Sequence, residues 1–147
     1  MPRRVAIIGM NSPYGPSPEQ ALWPDPPGCA GWRLWKMTEA RTGATQTDYL
    51  RAFHRYNLVS GRVWSMLLAR LRWGEIEADL TENFDTIVLL GAAVRRATGS
   101  LLPDILITRP LICLPHPSGL NRWYNSDVNR QLVEVVMEEL YFEATCT

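Results

Sequence analysis

A three-layer α/β/α sandwich around a four-stranded, mainly parallel sheet is the fold class that the sequence predicts, and three observations predict it. Four short apolar runs, at residues 5–9, 56–59, 86–90 and 111–114, have the length of buried strands rather than of helices. Segments with helical spacing separate them, the alternation expected of a sheet covered on both faces. Three of the runs pass directly into glycine, proline or amide residues, as strands do where they leave a sheet. With 147 residues, 46% of them hydrophobic, the chain suits one domain over residues 1–147.

The first strand, 5–9, is β-branched and central in character, and its exit carries Asn11. Residues 11–31 hold six of the eleven prolines and several glycines, too many breakers for regular structure, so this is a long loop whose aromatic side chains wall a pocket. A short helix over 31–37 follows, with Trp32 and Trp35 serving either as core or as a stacking platform for a flat base. Residues 47–54 form a second helix capped by Thr47, with Tyr49, Leu50 and Phe53 on its apolar face. The strand 56–59 carries one amide, Asn57, which is either a turn residue or a polar group presented at a strand end.

An amphipathic helix over 62–72 buries Val63, Met66, Leu67 and Leu71, and the acidic run 75–82 faces solvent. The strand 86–90 meets a helix at Gly91 with small residues, Ala92 and Ala93, behind it. The last strand, 111–114, opens into Pro115-His116-Pro117-Ser118-Gly119-Leu120-Asn121-Arg122, a stiff turn that makes His116 the first polar side chain beyond the sheet. A helix over 126–140 closes the chain, capped by Ser126, with Val128, Leu132, Val135, Val136 and Leu140 as its buried stripe.

Composition excludes several function classes. The formal net charge is zero, which argues against a generally basic nucleic-acid-binding surface. The charge is nevertheless uneven: residues 1–72 carry ten Lys/Arg and four Asp/Glu, net +6, and residues 73–147 carry five and eleven, net −6. Either both sets solvate exposed faces, or the fold gathers a basic face suited to DNA. Three scattered cysteines, Cys29, Cys113 and Cys146, suggest neither a disulfide framework nor a zinc site. No GxGxxG or P-loop pattern supports a nucleotide-cofactor enzyme. No apolar run reaches the roughly 18 to 20 residues of a membrane span, so the expectation is a soluble, cytoplasmic protein, or one found wherever DNA is.

Three motifs, in order, resemble the uracil-DNA glycosylase superfamily. Gly9-Met10-Asn11 followed by Pro13-Tyr14-Gly15 is similar to the GMNPGPFG loop of its single-strand-selective branch, one residue shorter. The mid-chain strand, glycine and helix at 88–94 is similar to a segment of that superfamily. The tail HPSGLNR, residues 116–122, resembles HPSPLS of the main uracil-excising branch and NPSGLSR of the mismatch-specific branch.

The resemblance implies a monofunctional DNA glycosylase that hydrolyses the N-glycosidic bond of uracil or a related damaged or modified base, as a monomer without metal or cofactor. It implies that Asn11 holds the attacking water and that His116, with a neutral imidazole, donates to the base oxygen. Gly9, Met10, Tyr14, Trp32 and Asn57 would form the base pocket, with Tyr14 either excluding a methyl group or merely packing. The tail Ser118, Gly119, Leu120, Asn121 and Arg122 would bind DNA: Ser118 and nearby backbone amides would hold phosphates, Gly119 would let the chain approach closely, Leu120 would fill the gap left by the extruded base, and Arg122 would reach the strand. Ser12 and Gly119 depart from the family's prolines, which leaves the base preference open. Two other readings also remain: a DNA- or nucleobase-binding module of the same fold without turnover, and an α/β enzyme acting on free nucleosides.

Overall fold

The computed structural model describes residues 2–11, 17–99 and 101–146. The elements run β1 (Val5–Asn11), α1 (Ala30–Thr42), α2 (Gln46–Ala52), β2 (Phe53–Val59), α3 (Met66–Asn83), β3 (Thr86–Leu90), α4 (Ala92–Ala97), β4 (Leu106–Ile107), β5 (Leu111–Leu114) and α5 (Asp127–Thr145). They build an α/β protein on a five-stranded sheet of order β2-β1-β3-β5-β4. The first four strands in that order are parallel, and β4 pairs antiparallel with β5 at the edge.

The pleat sorts the core into two halves. On β1, Val5 and Ile7 face one side with Val88, Leu90, Ile112 and Leu114, under Leu34 and Met37 of α1, Tyr49 of α2, and Val133, Val136 and Met137 of α5. Ala6 and Ile8 face the other side with Leu89 and Cys113, under Ala69, Ile76 and Leu80 of α3 and Val94 of α4. Helices therefore cover both faces, which is why these strands read as unbroken apolar runs. The chain moves outward from β1 to β2, then returns past β1 to β3 and continues to β5. The β1–β3 boundary is thus a topological switch point, where open α/β sheets leave a crevice beyond their carboxyl ends.

Several sequence expectations are corrected. The sheet has five strands because the short β4 returns against β5, too brief to show a period of its own. The second helix is α2, capped by Thr45 in a reciprocal capping box with Asp48, so Thr47 is its second residue; Phe53 and His54 belong to β2. The helix expected over 31–37 extends to Thr42, capped at its start by Cys29. The largest difference concerns α3. It starts at Met66 and absorbs the acidic run, and its inward residues are Ala69, Ile76 and Leu80; Val63, Leu67 and Leu71 are 80%, 69% and 57% exposed. Over eighteen residues the later turns choose the buried side, and the early leucines fall opposite it. The same effect on α5 leaves Val128 exposed and Leu132 at the surface, while Val133 and Met137 join the core.

The long loop is built as a wall. Tyr49, fully buried, donates its hydroxyl to the Leu22 carbonyl at 2.9 Å, and Arg55 donates to the Glu19 and Ala21 carbonyls at 3.2 and 2.7 Å. Gln46 reaches the Pro24 carbonyl at 3.2 Å. The first turn of α1 lies directly on this segment: a Cβ at Gly31 would stand 2.2 Å from the Trp23 carbonyl oxygen and 2.4 Å from that of Leu22. Both obstacles are backbone, so neither can swing away. Gly31→Ala is therefore expected to destabilise the protein by about 2 kcal/mol or more, measured by chemical denaturation. A loss within about 0.5 kcal/mol would mean that the wall does not rest on α1.

Candidate active site at the carboxyl edge of the sheet

Parallel strands in register leave the sheet together. Gly9 pairs with Asn57 and Leu90 with Leu114, so Asn11, Asn57, Gly91 and the His116 turn gather at one edge. There they meet the wall formed by the long loop. A cavity of about 260 Å³ lies between, lined by Met10, Asn11, Asn57, His116, Ser118 and Gly119 on the sheet side and by Leu22, Trp23 and Gly31 among the wall residues. That volume is just under the range of roughly 300 to 1,000 Å³ typical of drug-sized ligands, so it suits one small ring.

Each polar group is held in a definite orientation. The Asn11 amide nitrogen donates to the carbonyls of Gly61 and Arg62 at 3.1 and 2.9 Å. Its Oδ1 is left as an acceptor with no partner among the described residues. Asn57 lies over Gly9, where a Cβ would come within 2.7 Å of its Oδ1; glycine at that position gives the amide its place. Its side chain also has no hydrogen-bond partner among the described residues, which leaves a donor and an acceptor for a ligand edge.

His116 is fixed through its backbone. Its carbonyl accepts from Asn121 Nδ2 at 3.0 Å, Tyr124 donates its hydroxyl to the Pro115 carbonyl at 2.6 Å, and the Gly91 N–H donates to the Leu114 carbonyl at 2.8 Å. Gly91, at φ +90°, backs the imidazole so closely that a Cβ would stand 2.9 Å from His116 Cβ. Burial holds the imidazole pKa below its ordinary value of 6.5, and no carboxylate counteracts that. The ring is therefore neutral at pH 7, a hydrogen-bond donor at one nitrogen and an acceptor at the other.

Of the residues expected in a base pocket, Met10 and Asn57 line the cavity, and Gly9 lies buried under the Asn57 amide. Trp32 does not: it faces a neighbouring groove with Arg33, Lys36, Pro117 and Tyr124, because the first turn of α1 directs Gly31, not Trp32, toward the cavity. Tyr14 lies outside the described residues. In the tail, Ser118 and Gly119 reach the cavity, Leu120 is 94% exposed, and Arg122 is exposed. Asn121, expected in the DNA-binding tail, holds the turn together. Its side chain turns inward, donating to His116 O and accepting from Trp123 N at 3.1 Å, so it positions the turn.

The sequence reading missed Leu22, Cys29 and the main-chain role of Gly31, because a proline-rich stretch has no period from which to read a wall. Leu22 in particular adopts a positive φ of 51°, which nothing in its residue type signals. Among the described residues, no three His, Cys, Asp or Glu side chains gather as a metal site. No helix of the described residues is long and apolar enough to cross a membrane. Comparison of the chain with protein-family models and with curated proteins finds no match.

The depressed value at His116 has a definite sign. The unfolded chain binds the proton first as pH falls, so this group subtracts stability below about pH 6.5, and His54, also held low chiefly by burial, acts in the same sense. The imidazole Cε1 proton of His116 should titrate below 6.5 by NMR; a midpoint above 6.5 would require an acidic partner that the cavity lacks. The Asn11 geometry makes a second prediction. Asn11→Asp would place a carboxylate oxygen against two carbonyls, raising its pKa above the usual 3.9 and costing about 1 kcal/mol at pH 7. That cost vanishes below pH 4 and grows as pH rises through the raised value, so denaturation at pH 4 and pH 7 should bring the variant closest to the parent in acid. Equal loss at both would mean that the amide is not held as described.

Proposed function

We propose that the protein is a monofunctional DNA glycosylase that removes uracil or a related damaged or modified base and leaves an abasic site. The observation that carries the reading is the convergence of the Asn11 Oδ1, the Asn57 amide and the neutral His116 imidazole on one cavity sized for a single ring. The resemblance of the three motifs to the uracil-DNA glycosylase superfamily supports it.

In this mechanism the bond between the base nitrogen and C1′ of the sugar breaks, and its electron pair goes to the base. The sugar gains positive character, and negative charge spreads to a base oxygen. His116 donates a hydrogen bond to that oxygen, where a fixed donor in a sheltered site is worth about 3 to 4 kcal/mol of transition-state stabilisation. Asn57 offers a donor and an acceptor to the base edge. The Asn11 Oδ1 accepts from a water and aims it at C1′; the water adds its oxygen there and releases its proton to solvent. An amide is a poor base, so catalysis leans on the leaving group. Extruding the base costs a few kcal/mol, and Leu120, which is exposed, would fill the gap where the substrate is a duplex. The enzyme acts as a monomer, wherever DNA is.

A second reading, a DNA- or nucleobase-binding module without turnover, is favoured by one observation: no Asp or Glu lines the cavity among the described residues. Incubation with single-stranded oligonucleotides carrying uracil, hypoxanthine or modified pyrimidines, followed by alkaline cleavage, separates the two. The glycosylase cuts at one or more of these bases, and His116→Ala lowers turnover about 100-fold or more while DNA affinity changes by less than about threefold. Tight binding without cleavage of any of them establishes the module instead. Activity on a free deoxynucleoside alone would point to an enzyme of nucleoside metabolism.

A further inference from the structure

The groove next to the cavity is a built feature that the reaction above does not use. It encloses about 420 Å³ between α1 and the turn after β5, and Trp32, Arg33, Lys36, Pro117 and Tyr124 are among its lining residues. The partition between groove and cavity is one residue thick on two separate segments. Gly31 faces the cavity and Trp32 the groove; Ser118 faces the cavity and Pro117 the groove.

Arg33 sits on that partition. Its Nε donates to the Gly28 carbonyl at 3.2 Å, and its guanidinium lies so near Gly119 that a Cβ there would stand 2.9 Å from Nη2. Arg33 makes no ion pair among the described residues, whereas the other charges of the groove are matched. Lys36 holds Glu39 at 2.6 Å, Arg41 approaches Glu134 at 4.0 Å, and Arg130 pairs with Asp127. Among the described residues the groove thus has one cation without an ion pair, at the boundary with the cavity. Its aromatic wall is distinctive too. Trp35 donates its indole N–H to the Ala44 carbonyl at 2.9 Å, while that of Trp32 has no partner among the described residues.

We propose that this groove is a subsite for the nucleotide adjoining the extruded one in a single DNA strand, its base lying on Trp32 and the intervening phosphate on Arg33. The inference rests on the glycosylase reading for the occupant of the cavity. The half-buried Trp32 ring, with Lys36 Nζ 6.0 Å from its centroid, beside the Arg33 guanidinium matches one base and one phosphate, and a guanidinium can hold two phosphate oxygens at once. The neighbouring base must leave its stack to reach Trp32, so the subsite favours single strands over duplexes and makes the flanking nucleotide matter.

The test uses trinucleotides with a central 2′-fluoro-deoxyuridine, whose electron-poor sugar resists hydrolysis, and with the 5′ or the 3′ base removed in turn. Affinities are measured by calorimetry for the parent, Trp32→Ala and Arg33→Gln, with excision of the unfluorinated trinucleotides followed in parallel. Removing the base on one side only should weaken binding about tenfold, the scale of one base stacked on an aromatic ring. Trp32→Ala should abolish the difference between that oligonucleotide and the intact one, while Arg33→Gln weakens both alike. Indifference of the parent to both flanking bases, or a flank effect unchanged in Trp32→Ala, overturns the subsite. Excision without a flank effect removes the subsite and keeps the glycosylase; a Trp32-dependent flank effect without excision keeps the subsite and removes uracil as the excised base. Absence of both overturns the subsite and the excision of uracil together.

Discussion

Parallel pairing of β1 with β3 and of β3 with β5 is the constraint on which the rest depends. It obliges three chain segments, far apart in sequence, to leave the sheet at the same edge, and the register delivers Asn11, Gly91 and His116 there within a residue or two of one another. Covering both faces with helices leaves that edge as the place where side chains need not be apolar. The cavity then follows from two close approaches that only glycine permits, Gly31 against the loop backbone and Gly91 against His116. Neither glycine does chemistry, yet each sets the position of a group that can.

Much of this architecture was legible in the chain, and the reasons are physical. Buried parallel strands are short apolar runs, so 86–90 and 111–114 stand out with the bounds they have in the fold, and a serine before an apolar-periodic segment marks the start of α5 at Ser126. The edge hairpin through β4 was not legible, since two residues carry no period. Nor was the inward face of α3, where a leucine pair at i and i+4 imitates a buried stripe while Ala69 and Leu80 make the contact. In the site, Asn11 and His116 were readable because each is the first polar side chain after an apolar strand. Trp32 falls beside the cavity rather than in it because adjacent residues on the first turn of a helix point about 100° apart, and the short helix read over 31–37 carried no signal for which of Gly31 and Trp32 would face inward.

The electrostatics of the cavity are those of neutral groups held in place. Two amides and an imidazole bring donors and acceptors without a formal charge, and burial keeps His116 from acquiring one. A site of this kind does little to take a proton from water, but it can stabilise charge that develops on a ligand, because its dipoles are already aligned and need no reorganisation. The hydrogen bonds that achieve the alignment all reach the backbone: Asn11 to Gly61 and Arg62, Asn121 to His116, Tyr124 to Pro115. Side chains in the second rank therefore control geometry through the main chain and leave the functional groups of the first rank unspent.

Charge outside the cavity is arranged along the same axis. The helix α3 follows β2, whose carboxyl end is at the cavity edge, and precedes β3, so it runs from that edge to the opposite one; its acidic residues Glu75, Glu77, Asp79 and Glu82 occupy the far half. The helix α5 also starts at the cavity edge, and its end is fixed at the opposite one by the hydrogen bond from Arg3 N to Glu143 O, so Glu138, Glu139 and Glu143 lie away from the cavity. By contrast the Arg33 guanidinium rests on Gly119 and that of Arg55 stands over Trp23, both beside the cavity, while Arg3, Arg4 and Arg109 stand with acidic groups at the opposite edge. The carboxylates of the two helices are thus kept from the cavity, whose lining among the described residues holds no Asp or Glu to repel an anionic ligand.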